Sequence, residues 1–199
     1  MARHMISISL AFTTLLTLTG WAQAHTGIAS TSSFAHGFTH PLTGLDHVLA
    51  MLAVGLFAAR LGGRALVLLP LAFMSMMALG GMLGVFAVDV PYVEFGIALS
   101  VIALGTAVAL HKPLPLAAAM GLAGIFAIFH GHAHGAEMPA TAFGLAYASG
   151  FLLATALLHG AGLAVGFATL RLALKADHVL RVAGGAVSLA GVALLSALI

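Results

Sequence analysis

From residue 42 to residue 198 the chain is a succession of apolar runs, at about 42–59, 65–88, 92–110, 114–130, 140–170 and 179–198, separated by short polar breaks. A helix needs about 20 apolar residues to cross the roughly 30 Å hydrocarbon core of a bilayer. Within lipid it also satisfies its own backbone polar groups, which an open strand cannot do. The pattern therefore predicts an all-α, polytopic membrane protein with about six transmembrane helices. The fifth run is long for one span and contains His159-Gly160-Ala161-Gly162, where a kink, a local break or a strong tilt is expected. Small residues four apart, such as Gly80 and Gly84 or Gly162 and Gly166, allow close approach between helices in lipid.

The segment before these runs has a different character. Arg3 and His4 form a short positive start, residues 5–20 are apolar but Thr-rich, and Ala22-Gln23-Ala24 has the form of an export-signal cleavage site. Residues 1–24 are accordingly expected to be a signal peptide, with an uncleaved first helix as the alternative. Residues 25–199 then form a single transmembrane domain, with His25 as the new N-terminus on the outer face of a bacterial inner membrane.

Composition agrees with lipid as the solvent. Of 199 residues 62% are hydrophobic and only 6% are charged, against about 25% charged in an ordinary soluble domain. The absence of cysteine excludes disulfides and thiolate metal sites. The net charge is +2 but the basic residues are scattered singly, so no nucleic-acid surface is expected. Their placement orients the helices. Arg60 and Arg64 fall between the first and second runs, Lys112 between the third and fourth, and Arg171, Lys175 and Arg181 around the last break. The two other connections carry Asp89, Glu94 and Glu137 and no Lys or Arg. By the positive-inside rule the basic loops are cytoplasmic, which puts both mature termini in the periplasm.

Eleven histidines against five acidic residues is the unusual feature. An ionisable residue within a span is costly and is a functional candidate by default. The predicted topology collects most of them on the outer side. The first group is His36, His40, Asp46 and His47. Pro41 suits the first turn of a helix. His40 would then stand at its cap and His47 two turns further down the same face, with Asp46 as a ligand or as the group that orients an imidazole. The second group is His130, His132, His134 and Glu137. Here His130, His134 and Glu137 have the i, i+4, i+7 spacing of one helix face, although Gly131 and Gly135 permit an unwound end. Short His-rich tracts bind metals, and a solvated His-rich loop is the plain alternative. His159 lies deep in the fifth run, either as a relay on a path through the protein or as a core histidine bonded to a freed carbonyl. His111 and His178 read as interfacial residues. Met74, Met76, Met77 and Met82 invite a copper(I) reading, but Met is also a common filler of apolar helices.

At these residues the chain resembles a known family. His40-Pro-Leu-Thr-Gly-Leu-Asp-His47 resembles the HPxxGxDH signature of the HupE/UreJ nickel (or cobalt) permeases, and Phe129-His-Gly-His-Ala-His-Gly-Ala-Glu137 resembles their FHGxAHGxE signature. The resemblance implies metal-binding roles for His40, Asp46, His47, His130, His134 and Glu137, and nickel uptake serving hydrogenase or urease maturation. His132 falls at a variable position of the motif, and His36 is supported only by proximity.

The residue chemistry agrees with that expectation. Imidazole suits nickel, cobalt, zinc and copper, whereas magnesium and calcium prefer oxygen. The ion is substrate, and no prosthetic group is expected. No phosphate-binding Gly-rich loop followed by Lys is present, so no nucleotide is expected to drive transport. The partners expected are the lipid bilayer and a divalent metal ion. The rival classes are an intramembrane zinc-dependent metalloenzyme, although no HExxH arrangement is present, and a membrane metal sensor.

Overall fold

The computed structural model describes residues 29–110 and 114–199. The proposed signal peptide (1–24), His25, His111 and Lys112 lie outside the described residues. The described chain is helical: α1 (Ala29–Thr39), a 3-10 turn (His40–Leu42), α2 (Leu45–Leu61), α3 (Ala65–Val85), α4 (Val93–Leu110), α5 (Leu116–Ala136), α6 (Gly144–Leu172) and α7 (Ala176–Ser196). Helices α3 to α7 are each long and apolar enough to cross a membrane. The first predicted span takes another form. The residues from Ser32 to Leu42 and helix α2 make a pair bent by 79° at the break between them, and only together do they give a sixth span.

The bend has a local cause. Pro41 opens the 3-10 turn, and Gly44 is extended at the N-cap of α2 (φ −88°, ψ 118°). His40 and His47 are therefore not two turns apart on one helix face, as their spacing suggests. His40 belongs to the 3-10 turn and His47 to the first turn of α2.

The fifth apolar run, where a kink, a local break or a strong tilt is expected, forms one helix. Helix α6 continues through His159-Gly160-Ala161-Gly162 for 29 residues without a break. At ~1.5 Å per residue that is roughly 43 Å, longer than the hydrocarbon core, so α6 tilts or projects beyond it. Its glycines serve packing. A Cβ on Gly162 would run into the carbonyl oxygen of Leu52 on α2.

The same device sets the contact between α3 and α5, which brings the second His group into the bundle. Cβ atoms on Gly80 and Gly84 would overlap the carbonyl oxygens of Ile128 and His132, and one on Gly131 would overlap that of Met77. These helices touch backbone to backbone, as small residues allow in lipid, where no hydrophobic force separates helix from solvent. The core between the helices is built from Met51, Val54, Phe57, Leu69, Phe73, Met77, Val101 and Leu104.

Polar groups divide between the two ends of the bundle. At one end Arg60 of α2 pairs with Asp177 of α7, which Arg181 also approaches at 2.8 Å. The other end carries His36, His40, Glu94 and Glu137.

Candidate metal centre

At that second end three elements converge. The 3-10 turn brings His40, α5 brings His134, and the C-cap of α5 brings Glu137, which keeps helical backbone angles (φ −86°, ψ −2°). Helix α5 thus continues to its end, and the i, i+4, i+7 face forms as the spacing predicts. One ligand atom from each of His40, His134 and Glu137 lies within 4.8 Å of the others. Two donors on opposite sides of an ion with bonds of about 2.1 Å stand about 4.2 Å apart. A small closure of side chains would complete such a site. At present His40 Nε2 and Glu137 Oε2 are 3.1 Å apart, so an arriving cation would displace the proton they share.

His134 is buried, with 6% of its surface exposed. Neither of its ring nitrogens has a hydrogen-bond partner. A buried polar group left unpaired costs about 1–3 kcal/mol. The helix holds this imidazole among other imidazoles, 4.7 Å from the His40 ring and 4.0 Å from the His47 ring between centroids.

The other three motif residues form a row beside it. The Asp46 carboxylate accepts the backbone N–H of His47 at 2.7 Å and lies 3.4 Å from His47 Nδ1. His47 Nε2 meets His130 Nδ1 at 3.0 Å, and His130 Nε2 meets Ser100 Oγ at 2.7 Å. Neutral imidazoles have one donor and one acceptor nitrogen. Two proton orders fit the distances, and an ionised Asp46, which only accepts, selects the one in which Ser100 donates to His130, His130 to His47, and His47 Nδ1 turns its proton toward Asp46. The Ile97 carbonyl, 2.6 Å from Ser100 Oγ, is the alternative acceptor for the hydroxyl proton. Asp46 therefore stands where it can fix the tautomer of His47.

A cavity of about 200 Å³ opens onto both groups, lined by His40, Asp46, His47, Glu94, His134 and Glu137 among others. Glu94 is a lining residue that the motifs do not single out, and it adds a carboxylate from the first turn of α4. Ser100 is likewise invisible in sequence, one hydroxyl in an apolar helix. His36 stands outside the convergence. Its ring stacks on His40 at 5.7 Å and faces Tyr147 at 5.8 Å, so it flanks the cluster. His132 turns away from the cluster, with Nε2 2.9 Å from the Val88 carbonyl oxygen.

His159 lies apart from the outer group, about midway along α6 and 1% exposed. It has no carbonyl partner: both ring nitrogens are unpaired, and the ring packs edge-on against Phe73 at 5.3 Å. Of the four methionines Met74, Met76, Met77 and Met82, the last two line one apolar cavity. Met77 is buried in the core while Met82 is 52% exposed.

Comparison with known proteins supplies an independent line. The profile of the HupE / UreJ protein family matches residues 13–194. Protein HupE of Rhizobium leguminosarum bv. viciae is 48% identical over 180 residues, covering 90% of this chain and 93% of the relative. No solved structure matches.

Proposed function

Because the chain belongs to the HupE/UreJ family, we propose that it is a permease for divalent transition-metal ions, nickel first and cobalt second. The ion enters through the His40, His134 and Glu137 cluster, and Asp46, His47 and His130 hold that cluster in place. The observation that carries this reading is His134, a buried imidazole with two unpaired nitrogens and two further ligands within reach. A mixed imidazole and carboxylate set suits borderline divalent ions, and the neighbouring acids draw cations toward the cavity mouth.

The protein works in a bacterial inner membrane, with the cluster facing the periplasm and the Arg60–Asp177 end facing the cytoplasm. The alternation of basic and acidic loops supports this orientation. Compartment reporters fused after Lys112 and after Glu137 should report opposite sides, and the same side for both would overturn the topology.

The functional test is accumulation of nickel in cells that carry this gene alone, repeated with cobalt and zinc as competitors. Two histidines and a glutamate can also hold a catalytic zinc with an open position. Absence of accumulation in the presence of the protein would overturn the permease and favour that reading.

A further inference from the structure

We propose that His159 is an inner coordination station at mid-bilayer, at which the ion pauses after leaving the outer cluster, with Met77 and Thr155 as weak donors on the approach. This rests on the permease reading and adds a second site to it.

His134 lines the polar cavity described above and also a second, apolar cavity of about 450 Å³. Met77 lines this second cavity, together with Phe151 and Tyr147. Thr155 Oγ1 then lies 3.9 Å from Met77 Sδ. One turn further along α6, on the same face, stands His159. On α3 the partner one turn from Met77 is Phe73, whose ring touches His159 at 5.3 Å and His130 at 5.9 Å. Phe73, Met77, Thr155 and His159 are all at most 1% exposed. Polar and polarizable atoms thus form a descending series from His134 to the middle of α6.

An unpaired imidazole at that depth calls for an explanation, because it forfeits hydrogen bonds that a leucine would not need. A divalent ion crossing the hydrocarbon region needs donors there, since an unligated charge at mid-bilayer is costly. One imidazole, with a thioether and a hydroxyl about one helical turn away, binds a borderline ion weakly. Weak binding suits a transit point, because conduction needs sites that are favourable to enter and easy to leave. No carboxylate lies in this inner series, in contrast to the outer cavity.

The test uses full-length protein in phosphatidylcholine and phosphatidylglycerol liposomes, with nickel entry and equilibrium nickel binding measured separately. His159→Leu should slow entry by about tenfold or more, equivalent to about 1.4 kcal/mol or more on the barrier. Equilibrium binding at the outer cluster should change by less than about twofold, because separate sites without shared ligands act independently. The natural chain contains no cysteine, so His159→Cys places a single thiol at the station. Its soft sulfur should raise the ratio of cadmium to nickel entry by about fivefold or more, a change that a purely structural role would not produce. If His159→Leu fails to fold, the ion-preference measurement on His159→Cys still decides. Entry at the wild-type rate in His159→Leu, or an unchanged cadmium-to-nickel ratio in His159→Cys, would overturn the station alone. Wild-type liposomes that admit no metal would overturn the permease reading and the station with it.

Discussion

His130 and His134 lie one turn apart on α5, are 0% and 6% exposed, and have opposite hydrogen-bonding states. Both ring nitrogens of His130 are engaged, one by His47 and one by Ser100. Neither nitrogen of His134 is. Both imidazoles are buried on the same helix, so the difference comes from the neighbours. Helices α2 and α4 supply His130 with partners of fixed geometry. The 3-10 turn and the C-cap of α5 supply His134 with two further ligands but no hydrogen bond. One imidazole is held, and it orients the row that ends at Asp46. The other is kept available at a cost in stability.

The sharpest way to break this division is His134→Leu. The substitution removes an imidazole that makes no hydrogen bond, so the folded state loses no polar interaction. Thermal stability of the purified protein should be unchanged or higher. Nickel affinity should fall by about 100-fold or more, about 2.7 kcal/mol. A variant that binds nickel like the wild type in equilibrium dialysis would remove His134 from the site.

Ser100→Ala should have a smaller and different effect. It leaves His130 Nε2 buried without a partner, at a cost of about 1–3 kcal/mol in stability. Partners that orient ligands are typically worth 10- to 100-fold in metal affinity, and the lower end, about tenfold, is expected here because Ser100 acts through two imidazoles. A Ser100→Ala protein with wild-type melting and wild-type affinity would show that the row does not hold the cluster. The two variants thus separate binding from positioning: the first loses affinity without stability, the second loses both.

How much of this was legible in the sequence depends on the range of the cause. The long spans were legible because a run of apolar residues needs no partner to be recognised, and lipid enforces helix along it. The face shared by His130, His134 and Glu137 was legible because it lies on one continuous helix. The relation of His40 to His47 was misread. The chain bends at Gly44, and the seven-residue spacing gives two turns of one face only if a single helix runs through it. Of the kink, break or tilt expected near His159, the break is missing because Gly160 and Gly162 keep helical backbone, with Gly162 admitting α2 at close range. Ser100 carries no local signal, and Glu94 shows in sequence only as an outer-side acid at the start of an apolar run, since the roles of both depend on which helix lies opposite. For the same reason spacing predicts that His134 can ligate but not that its nitrogens are unpaired.

His132 provides the weakest perturbation and the cleanest control. It lies two residues from both His130 and His134, which on a helix turns its side chain to nearly the opposite face. There its Nε2 meets the Val88 carbonyl at 2.9 Å, in the connection between α3 and α4. That connection holds Ala87 and Tyr92 at positive φ, 53° and 59°, a region that non-glycine residues enter at a cost. The His132 contact therefore helps to pin a strained loop and supplies nothing to the cavity. His132→Ala should lower stability by about 0.5–1.5 kcal/mol, the net worth of one hydrogen bond. By the same argument nickel affinity should move by less than about twofold, since none of the cavity-lining ligands is disturbed. Melting curves and nickel isotherms of His132→Ala and His134→Leu, measured side by side, decide the matter. Equal and severe losses of affinity in both would mean that the α5 terminus binds by its overall histidine content, and the distinction between a held and an available imidazole would have no functional meaning.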